Sequence, residues 1–280
     1  MKLINGEVKK FVSGVIRNKK FRISILIIVL AGFGGWLIYA RYTQVMPQPT
    51  IYFLNDVVLP QQGQKVLVFS PHPDDETIGV GGYITQSVKN GAIVQIILVT
   101  NGNKHGLEEK RYDEFKKATS ILGVPEENLI FLNYPDGKLQ KENEDKLFED
   151  FKSQIDEFNP NIIIYPNSQD QHPDHFTTAK VVEKILKERY QKIISYQYLI
   201  HHPCFPQPQK YDPSFFLLPP ISMISFDKEW QRFMLPQEIE DQKNEAVLSY
   251  KSQLKTPFAR RLLLAMIRQN ELFSLDKTND

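Results

Sequence analysis

The chain has 280 residues, of which 41% are hydrophobic and 24% are charged, and its net charge is +1. This length and composition predict a globular protein with one large domain and a full hydrophobic core. The balanced charge excludes a global basic field for nucleic acid. The single cysteine, Cys204, excludes an internal disulfide scaffold and a thiolate zinc cluster.

The N-terminus combines a basic segment with an apolar one. Residues 1–22 contain seven lysines and arginines against one acid, Glu7, and residues 23–40 (ISILIIVLAGFGGWLIYA) contain no charge. As a helix rising ~1.5 Å per residue, this run spans roughly 27 Å, about one hydrocarbon core. Trp36 and Tyr39 lie near one end, as interfacial aromatics do. The pattern predicts a single transmembrane helix.

Two alternatives compete with a retained anchor. A cleaved signal peptide usually has a shorter apolar stretch, about 7–15 residues, after a short basic region. A buried core helix would show an amphipathic pattern, which this run lacks. The basic flank predicts a cytoplasmic N-terminus and an extracytoplasmic body, and thus a single-pass protein of the cell membrane. Residues 41–61 are predicted to be a stalk leading to a folded domain over residues 62–280.

Short apolar runs alternate with helical patterns between residues 62 and 200. Such alternation predicts an α/β fold: a Rossmann-like, mostly parallel sheet with helices on both faces, here preceded by one transmembrane helix. Strands are predicted in 65–70, 92–102, 128–137, 161–167 and 192–200, and helices near 78–89, 107–122, 144–158 and 175–190.

The character of the sequence changes after residue 200. Residues 201–220 contain six prolines, which excludes a regular helix or a central strand and predicts a long loop of the kind that often serves as a functional lid. The run Phe215–Leu218 in this loop is predicted either to touch membrane or lipid or to pack on the core. Helical patterning is predicted to return from Asp227 onward, with residues 238–253 as the clearest piece.

Two polar segments follow predicted strands. Residues 70–76 (SPHPDDE) come after the first strand, and residues 172–175 (HPDH) come after the fourth. The carboxyl ends of parallel strands line the ligand crevice of such sheets, so the two segments are expected to meet.

Together these segments supply the residue types of a catalytic zinc site. His72, Asp75 and His175 could be three ligands that leave a fourth position for water. Asp74 could take the proton of that water, and His172 could stabilise the oxyanion or protonate the leaving amine. Taken alone, either aspartate could instead cap the helix that follows.

At these residues the sequence resembles the PIG-L/LmbE-like deacetylase family. That family includes the N-acetylglucosaminyl-phosphatidylinositol de-N-acetylase and bacterial deacetylases of mycothiol and bacillithiol synthesis. The likeness covers roughly residues 64–253. It is carried by PHPDDE (71–76) and HPDH (172–175), and more weakly by VTNG (99–102), Arg111 with Glu114, ILGV (121–124), YPDG (134–137) and KNEAVLSYKSQ (243–253).

The resemblance implies a Rossmann-like fold, with zinc held by His72, Asp75 and His175. It further implies Asp74 as general base and His172 as the acid or electrostatic partner. It also points to Asp136 as a contact to a sugar hydroxyl and to Arg111 as facing the group attached to the sugar; a turn or a salt bridge is the alternative for both. The remaining histidines, for which a position at the surface or behind the ligands is expected, are His105, His201 and His202.

The implied function is zinc-dependent hydrolysis of the N-acetyl amide of an N-acetylglucosamine-type sugar, giving acetate and a free amine. Other divalent metals suit the same ligands. The predicted extracytoplasmic domain favours a cell-surface or exported glycan over the cytoplasmic glycolipid precursor. The partners are therefore a glycan and the membrane, without nucleic acid. The alternatives are another metal-dependent hydrolase, acting on a phosphoester or a different amide, and a catalytically silent glycan-binding protein.

Overall fold

The structure is a computed structural model. It describes residues 18–103, 106–189, 192–203 and 205–276. Cys204 and His105 lie outside the described residues, as does most of the basic N-terminal segment.

Eight strands form one sheet in the order β1-β7-β8-β6-β5-β2-β3-β4. Neighbouring strands are parallel except where β8 pairs with β6 and β7. The mostly parallel α/β sheet predicted from the sequence is thereby confirmed. The strands are β1 Asn55–Asp56, β2 Lys65–Ser70, β3 Ile93–Thr100, β4 Leu129–Tyr134, β5 Ile162–Pro166, β6 Ile194–Tyr198, β7 Lys228–Met234 and β8 Asn270–Asp276.

Helices cover both faces of the sheet. They are α1 Lys19–Thr43, α2 Asp75–Lys89, α3 Glu108–Ile121, α4 Glu144–Phe158, α5 Pro173–Arg189, α6 Gln237–Ser249, α7 Lys251–Leu254 and α8 Pro257–Ala265. Alternate side chains of each strand point to opposite faces. Val66 and Val68 of β2 therefore face a core shared with α2, α3, α6 and α8, whereas Leu67 and Phe69 face a second core beneath α4 and α5.

The helical pattern predicted from Asp227 onward is wrong at its start. Lys228–Met234 form β7, which pairs along its whole length with β8. Trp230 and Phe233 are its buried residues. Their three-residue spacing imitates one turn of a helix, and pairing with a distant strand decides the outcome. Further along, α6 confirms the helix predicted in the 238–253 segment.

Helix α1 contains the apolar run. Lys19–Ala40 is long and apolar enough to cross a membrane, and none of it is buried in the protein. This exposure excludes the buried core helix. A membrane span and a signal sequence both fit a helix of this length and composition near the N-terminus.

The stalk predicted for residues 41–61 is wrong for most of its length, because residues 44–61 pack onto the domain. Met46 N–H donates to Pro219 O at 2.9 Å, and Ile51 is fully buried. Strand β1 adds an edge to the sheet beside β7. Apolar residues such as Ile51 find a buried position here, so the segment has no reason to remain a free linker.

The proline-rich loop is also held against the core. Leu217 and Leu218 are buried, which settles their part of the Phe215–Leu218 run in favour of core packing. Asn270 fixes Leu217 by accepting from its backbone N–H at 2.8 Å and donating to its carbonyl at 3.1 Å.

Candidate metal centre and active-site cavity

The two polar segments meet at the carboxyl edge of the sheet. Residues 71–74 link β2 to α2, which begins at Asp75, and Pro173 after His172 begins α5. The ring centroids of His72 and His172, a hundred positions apart in sequence, are 4.5 Å apart. The expected meeting of the two loops is therefore observed.

Asp75 lies between two histidines. Its Oδ2 atom is 3.0 Å from His72 Nδ1 and 2.9 Å from His175 Nε2, and all three side chains are buried. The same histidines form a group with His172 whose ligand atoms all lie within 4.8 Å of one another. The structure thus brings together the three residues predicted as metal ligands.

The geometry around His175 fits a cation. Both ring nitrogens are buried without a hydrogen-bond partner, although Asp75 Oδ2 lies 2.9 Å from Nε2 and Asp170 Oδ2 lies 3.2 Å from Nδ1. The nitrogen and oxygen atoms are close, but the angles between them do not suit a hydrogen bond. The buried ring nitrogens are therefore unsatisfied, which costs free energy in a protein interior. A divalent ion would satisfy imidazole nitrogen and carboxylate oxygen together, and this donor set is one that zinc prefers.

Charges in the cluster are strongly coupled. Burial opposes the charged form of His72, but hydrogen bonds to Asp174 and Asp75 outweigh it and raise the pKa of His72 to about 9. Burial likewise opposes charge on His175, and Asp170 and Asp75 hold its pKa well above the usual range. Burial also opposes charge on Asp75, yet the charge of His175 and the hydrogen bond of His72 hold the pKa of Asp75 well below the usual range. These directions favour charged imidazole rings beside a charged carboxylate.

Asp74 lies beside this cluster in an unusual backbone conformation. Its φ of 136° falls in the region that side chains rarely adopt, as at other functional positions. Burial raises the pKa of its carboxyl to about 8, against the effect of the Arg111 guanidinium, whose Nη2 is 3.3 Å from Asp74 Oδ2. A carboxyl group with a pKa near neutrality suits proton transfer.

Glu76 fixes the loop that carries Asp74. Its buried carboxylate accepts hydrogen bonds from Ser70 Oγ at 2.8 Å, Thr77 Oγ1 at 2.6 Å and the Tyr250 hydroxyl at 2.5 Å. The backbone N–H of Asp74 also points to Glu76, at 3.3 Å. The glutamate of the PHPDDE motif therefore positions the loop. Tyr250, from the C-terminal part of the chain, joins this hydrogen-bond network.

Two further aspartates hold the histidines and were missed in the sequence. Asp174 Oδ2 lies 2.9 Å from His72 Nε2 and accepts from the backbone N–H of Gly137 at 2.6 Å, which attaches the turn after β4 to the site. Asp170, 3.2 Å from His175, accepts from His201 N–H at 2.8 Å and so attaches the loop after β6. Asp174 could have been found from its place inside the HPDH motif, whereas no pattern in the sequence marks Asp170.

Arg111 and Asp136 are bonded to each other and to the site. The two terminal nitrogens of Arg111, Nη1 and Nη2, donate to Gly102 O, Pro73 O, Asp74 Oδ2 and Asp136 Oδ2 at 2.8–3.4 Å. Asp136 Oδ1 lies 3.6 Å from His72 Nε2. The salt-bridge alternative for this pair is thus observed. Both residues also line the cavity, and their contact with a substrate stays a prediction.

The three remaining described histidines differ in position. His172 Nδ1 accepts from Asp174 N–H at 3.3 Å, and burial and the neighbouring histidines lower the pKa of His172 to about 3. His201 lines the cavity, with its ring centroid 4.7 Å from that of His175, and its ligand atom lies within 4.8 Å of those of Asp75 and His175. The Nε2 atom of His202 is 3.1 Å from the Ser222 hydroxyl, and His202 also lines the cavity.

A cavity of about 560 Å³ extends from the cluster. One end is polar and contains the residues just described. The other end is walled by the proline-rich loop and helix α8, with Phe205, Pro206, Phe258 and Leu262 among the lining residues. A site of this shape can hold a polar ring against the cluster and a larger substituent along the apolar wall.

Residues 67–186 match the model of a family described as PIG-L, GlcNAc-PI de-N-acetylase. Over this span the chain is similar to the PIG-L family. The matched span contains both polar segments together with Arg111 and Asp136. The proline-rich loop and α8, which wall the apolar end of the cavity, lie beyond it.

Curated relatives of the PIG-L domain carry deacetylase names. The chain is 30% identical over 137 residues to the probable N-acetyl-alpha-D-glucosaminyl L-malate deacetylase 2 of Bacillus anthracis, a match covering 44% of this chain and 59% of that protein. It is 32% identical over 124 residues to the diacetylchitobiose deacetylase of Thermococcus kodakarensis, covering 40% and 45%. The chain thus spans about half the length of these curated relatives.

Solved structures share the fold. A conserved protein of Thermus thermophilus has a TM-score of 0.57 and 23% identity, covering 77% of this chain and 95% of its own. The diacetylchitobiose deacetylase of Pyrococcus horikoshii has a TM-score of 0.56 and 18% identity, covering 82% and 88%. A 4-carboxy-2-hydroxymuconate hydratase has a TM-score of 0.52. Since a hydratase shares the fold, the chemistry has to be argued from the site.

Proposed function

We propose that the protein is a zinc-dependent deacetylase that hydrolyses the N-acetyl amide of an N-acetylglucosamine-type sugar. The observation that carries the proposal is Asp75 lying within 3.0 Å of both His72 and His175, with Asp74 beside them in the same cavity. The relatives named above, which are deacetylases of N-acetylglucosaminyl malate and diacetylchitobiose, support the substrate class.

In this proposal His72, Asp75 and His175 hold the metal. Imidazole and carboxylate ligands suit zinc and admit other divalent ions. When bound, the metal supplies a Lewis acid that polarises the acetyl carbonyl and makes water a nucleophile at neutral pH. Asp170 and Asp174 orient the two histidines from behind, as outer carboxylates commonly do for metal-binding histidines.

Asp74 is the general base. It accepts a proton from the attacking water as the carbon–oxygen bond forms, and it passes that proton to the amine when the carbon–nitrogen bond breaks. Arg111 holds the Asp74 carboxylate in place from 3.3 Å. The low solvent exposure of Asp74 keeps competing water away from its carboxyl group.

His172 stabilises the developing charge. Because its Nδ1 atom accepts a hydrogen bond from Asp174 N–H, the neutral ring carries its hydrogen on Nε2. That N–H is available to donate to the oxyanion or to the departing amine. Asp136, at the polar end of the cavity, is assigned to a sugar hydroxyl.

We also propose that α1 anchors the enzyme in the cell membrane, with the N-terminus cytoplasmic and the catalytic domain outside. The seven basic residues that precede the apolar run support this orientation. A catalytic domain on that side favours a cell-surface or exported glycan as the substrate.

The test is a substrate panel given to the full chain in detergent, first stripped by chelator and then supplied with zinc. The panel contains N-acetylglucosamine, its oligomers, N-acetylglucosaminyl malate, a glycolipid and a phosphoester. The proposal expects acetate and free amine in equal amounts from an N-acetyl sugar, with loss of activity on chelation. Phosphate release without acetate would identify the phosphoester hydrolase instead, and sugar binding without turnover would identify the silent binding protein.

A further inference from the structure

Four large apolar side chains lie exposed in two short segments near the domain end of α1. Tyr52 and Phe53 end the 3₁₀ helix Gln48–Phe53, and Ile224 and Phe226 follow the 3₁₀ helix Ile221–Met223. Phe53 is 85% exposed, and Phe226 is fully exposed. We name these four residues the apolar rim. Grouped exposed apolar residues of this kind mark interaction surfaces.

The two segments of the rim are joined to each other. The side chain of Asn55 donates to Glu229 Oε1 at 3.0 Å, so the chain just after Phe53 lies against the chain just after Phe226. The rim is therefore one surface along the β1–β7 edge of the sheet.

The rim is also fixed to the end of α1. Helix α1 contacts Ile221–Met223, and just after it Gln44 O accepts from Ile221 N–H at 2.9 Å. The Gln48 side chain bonds both backbone groups of Phe216, whose ring lies 6.3 Å from that of Tyr52. Helix end, loop and rim are thus joined by hydrogen bonds and by the Tyr52–Phe216 ring contact.

From this continuity we propose that the apolar rim lies in the interfacial layer of the bilayer crossed by α1, so that the domain rests on the membrane in one orientation. The proposal depends on the membrane anchoring proposed above. Lipid is the occupant that the structure favours, because the rim adjoins α1, whose Lys19–Ala40 segment is apolar and is not buried in the protein. Aromatic side chains prefer this interfacial depth.

The proline-rich loop connects the segment after α1 to the active-site cavity. Its far end, at Phe216 and Pro219, is bonded to the segment that leaves α1, whereas Phe205 and Pro206 near its start line the cavity. A domain held by both α1 and the rim keeps the cavity at a constant distance from the lipid surface. Substrates presented at that distance are then favoured over freely diffusing ones.

The test places an environment-sensitive fluorophore on the full chain in lipid nanodiscs. Single cysteines replace rim residues in a Cys204→Ser background, as Phe53→Cys, Ile224→Cys and Phe226→Cys. The matched control is Ile93→Cys, because Ile93 at the start of β3 is 43% exposed and Ile224 is 42% exposed. Strand β3 lies five positions from β7 in the sheet.

The proposal expects the rim labels to shift to the blue and to be quenched several-fold more by lipids with a headgroup-proximal spin label than the label at position 93. Equal quenching at all positions would overturn it and leave the rim for a protein partner. Failure of the chain to enter nanodiscs would overturn the anchoring too, whereas acetate release in detergent tests the deacetylase proposal separately.

A second measurement uses unmodified side chains. Hydroxyl-radical oxidation of the native chain in nanodiscs should spare Phe53 and Phe226 and should modify Phe258, which is 78% exposed on α8 and distant in sequence from the rim. Oxidation of all three phenylalanines to the same extent would contradict membrane contact at the rim.

Discussion

Replacing Arg268 with methionine should release the proline-rich loop from the core. The Arg268 side chain is fully buried, and its guanidinium donates to Asp212 O and Pro208 O at 2.6 Å and to Lys210 O at 3.2 Å. Methionine keeps much of the apolar stem, removes the charge and leaves three carbonyl groups without their donor.

The size of the effect follows from these bonds. A hydrogen bond to a charged group contributes about 1.5–3 kcal/mol, and the freed carbonyls recover part of this from water. We expect Arg268→Met to lower the free energy of unfolding by about 3–5 kcal/mol, within the range for breaking a buried polar network. At roughly 2–4 °C per kcal/mol for a domain of this size, the Tm falls by about 6–20 °C.

Thermal unfolding by circular dichroism on the full chain in detergent measures the shift, and limited proteolysis shows whether cleavage concentrates in residues 205–212. Arg261→Met is the matched control. Arg261 is exposed and donates to the same loop, at Gln209, so its loss should change the free energy of unfolding by no more than about 1 kcal/mol. Equal Tm values for the two variants, with the loop uncut in both, would refute the reasoning.

Three further predictions concern the site. Asp170→Asn should weaken zinc binding about 10–100-fold, measured by competition with a chelator, because the carboxylate behind His175 supports that ligand. Zinc affinity of the native chain should rise with pH between about 6 and 9, since metal-free His72 and His175, whose pKa values are raised, must lose protons to bind metal; titrations at several pH values measure it. Tyr250→Phe should lower kcat about tenfold at unchanged KM in steady-state assays, because the loop of Asp74 loses a support.

A different result would contradict each of these three predictions. A zinc affinity of Asp170→Asn equal to that of the native chain would show that this aspartate does not support the metal ligands. A zinc affinity independent of pH would show that the histidines are neutral before metal arrives. A rise in KM without a change in kcat for Tyr250→Phe would assign this tyrosine to substrate binding.

The central strands and the polar segments could be predicted because both signals are local. Strands β2 and β5 are unbroken apolar runs, and the motifs follow them at once, so the rule that sites form at the carboxyl ends of parallel strands was enough to place His72 beside His172. The YPDG motif can be recognised in the sequence. The hydrogen bond from its Gly137 N–H to Asp174, however, depends on the fold.

The parts that could not be predicted depend on contacts distant in sequence. Strand β7 has its two buried aromatics three residues apart, and its pairing with β8 joins segments about 40 residues apart. Residues 44–61 follow the apolar run and show no regular pattern, yet Ile51 is buried because the edge of the sheet offers it a place. Asp170 carries no motif, and its role appears only when β5 and β6 stand side by side.

The most direct test of the central claim compares the native chain with Asp74→Asn, each loaded with zinc and quantified for metal. We predict about one zinc per chain in both proteins. Acetate release from the best N-acetyl sugar should fall at least a hundredfold in the variant, because a positioned base contributes about 10²–10⁴ to the rate. Acetate release by the Asp74→Asn variant at the native rate, with zinc bound, would contradict the assignment of Asp74 and with it the proposed mechanism.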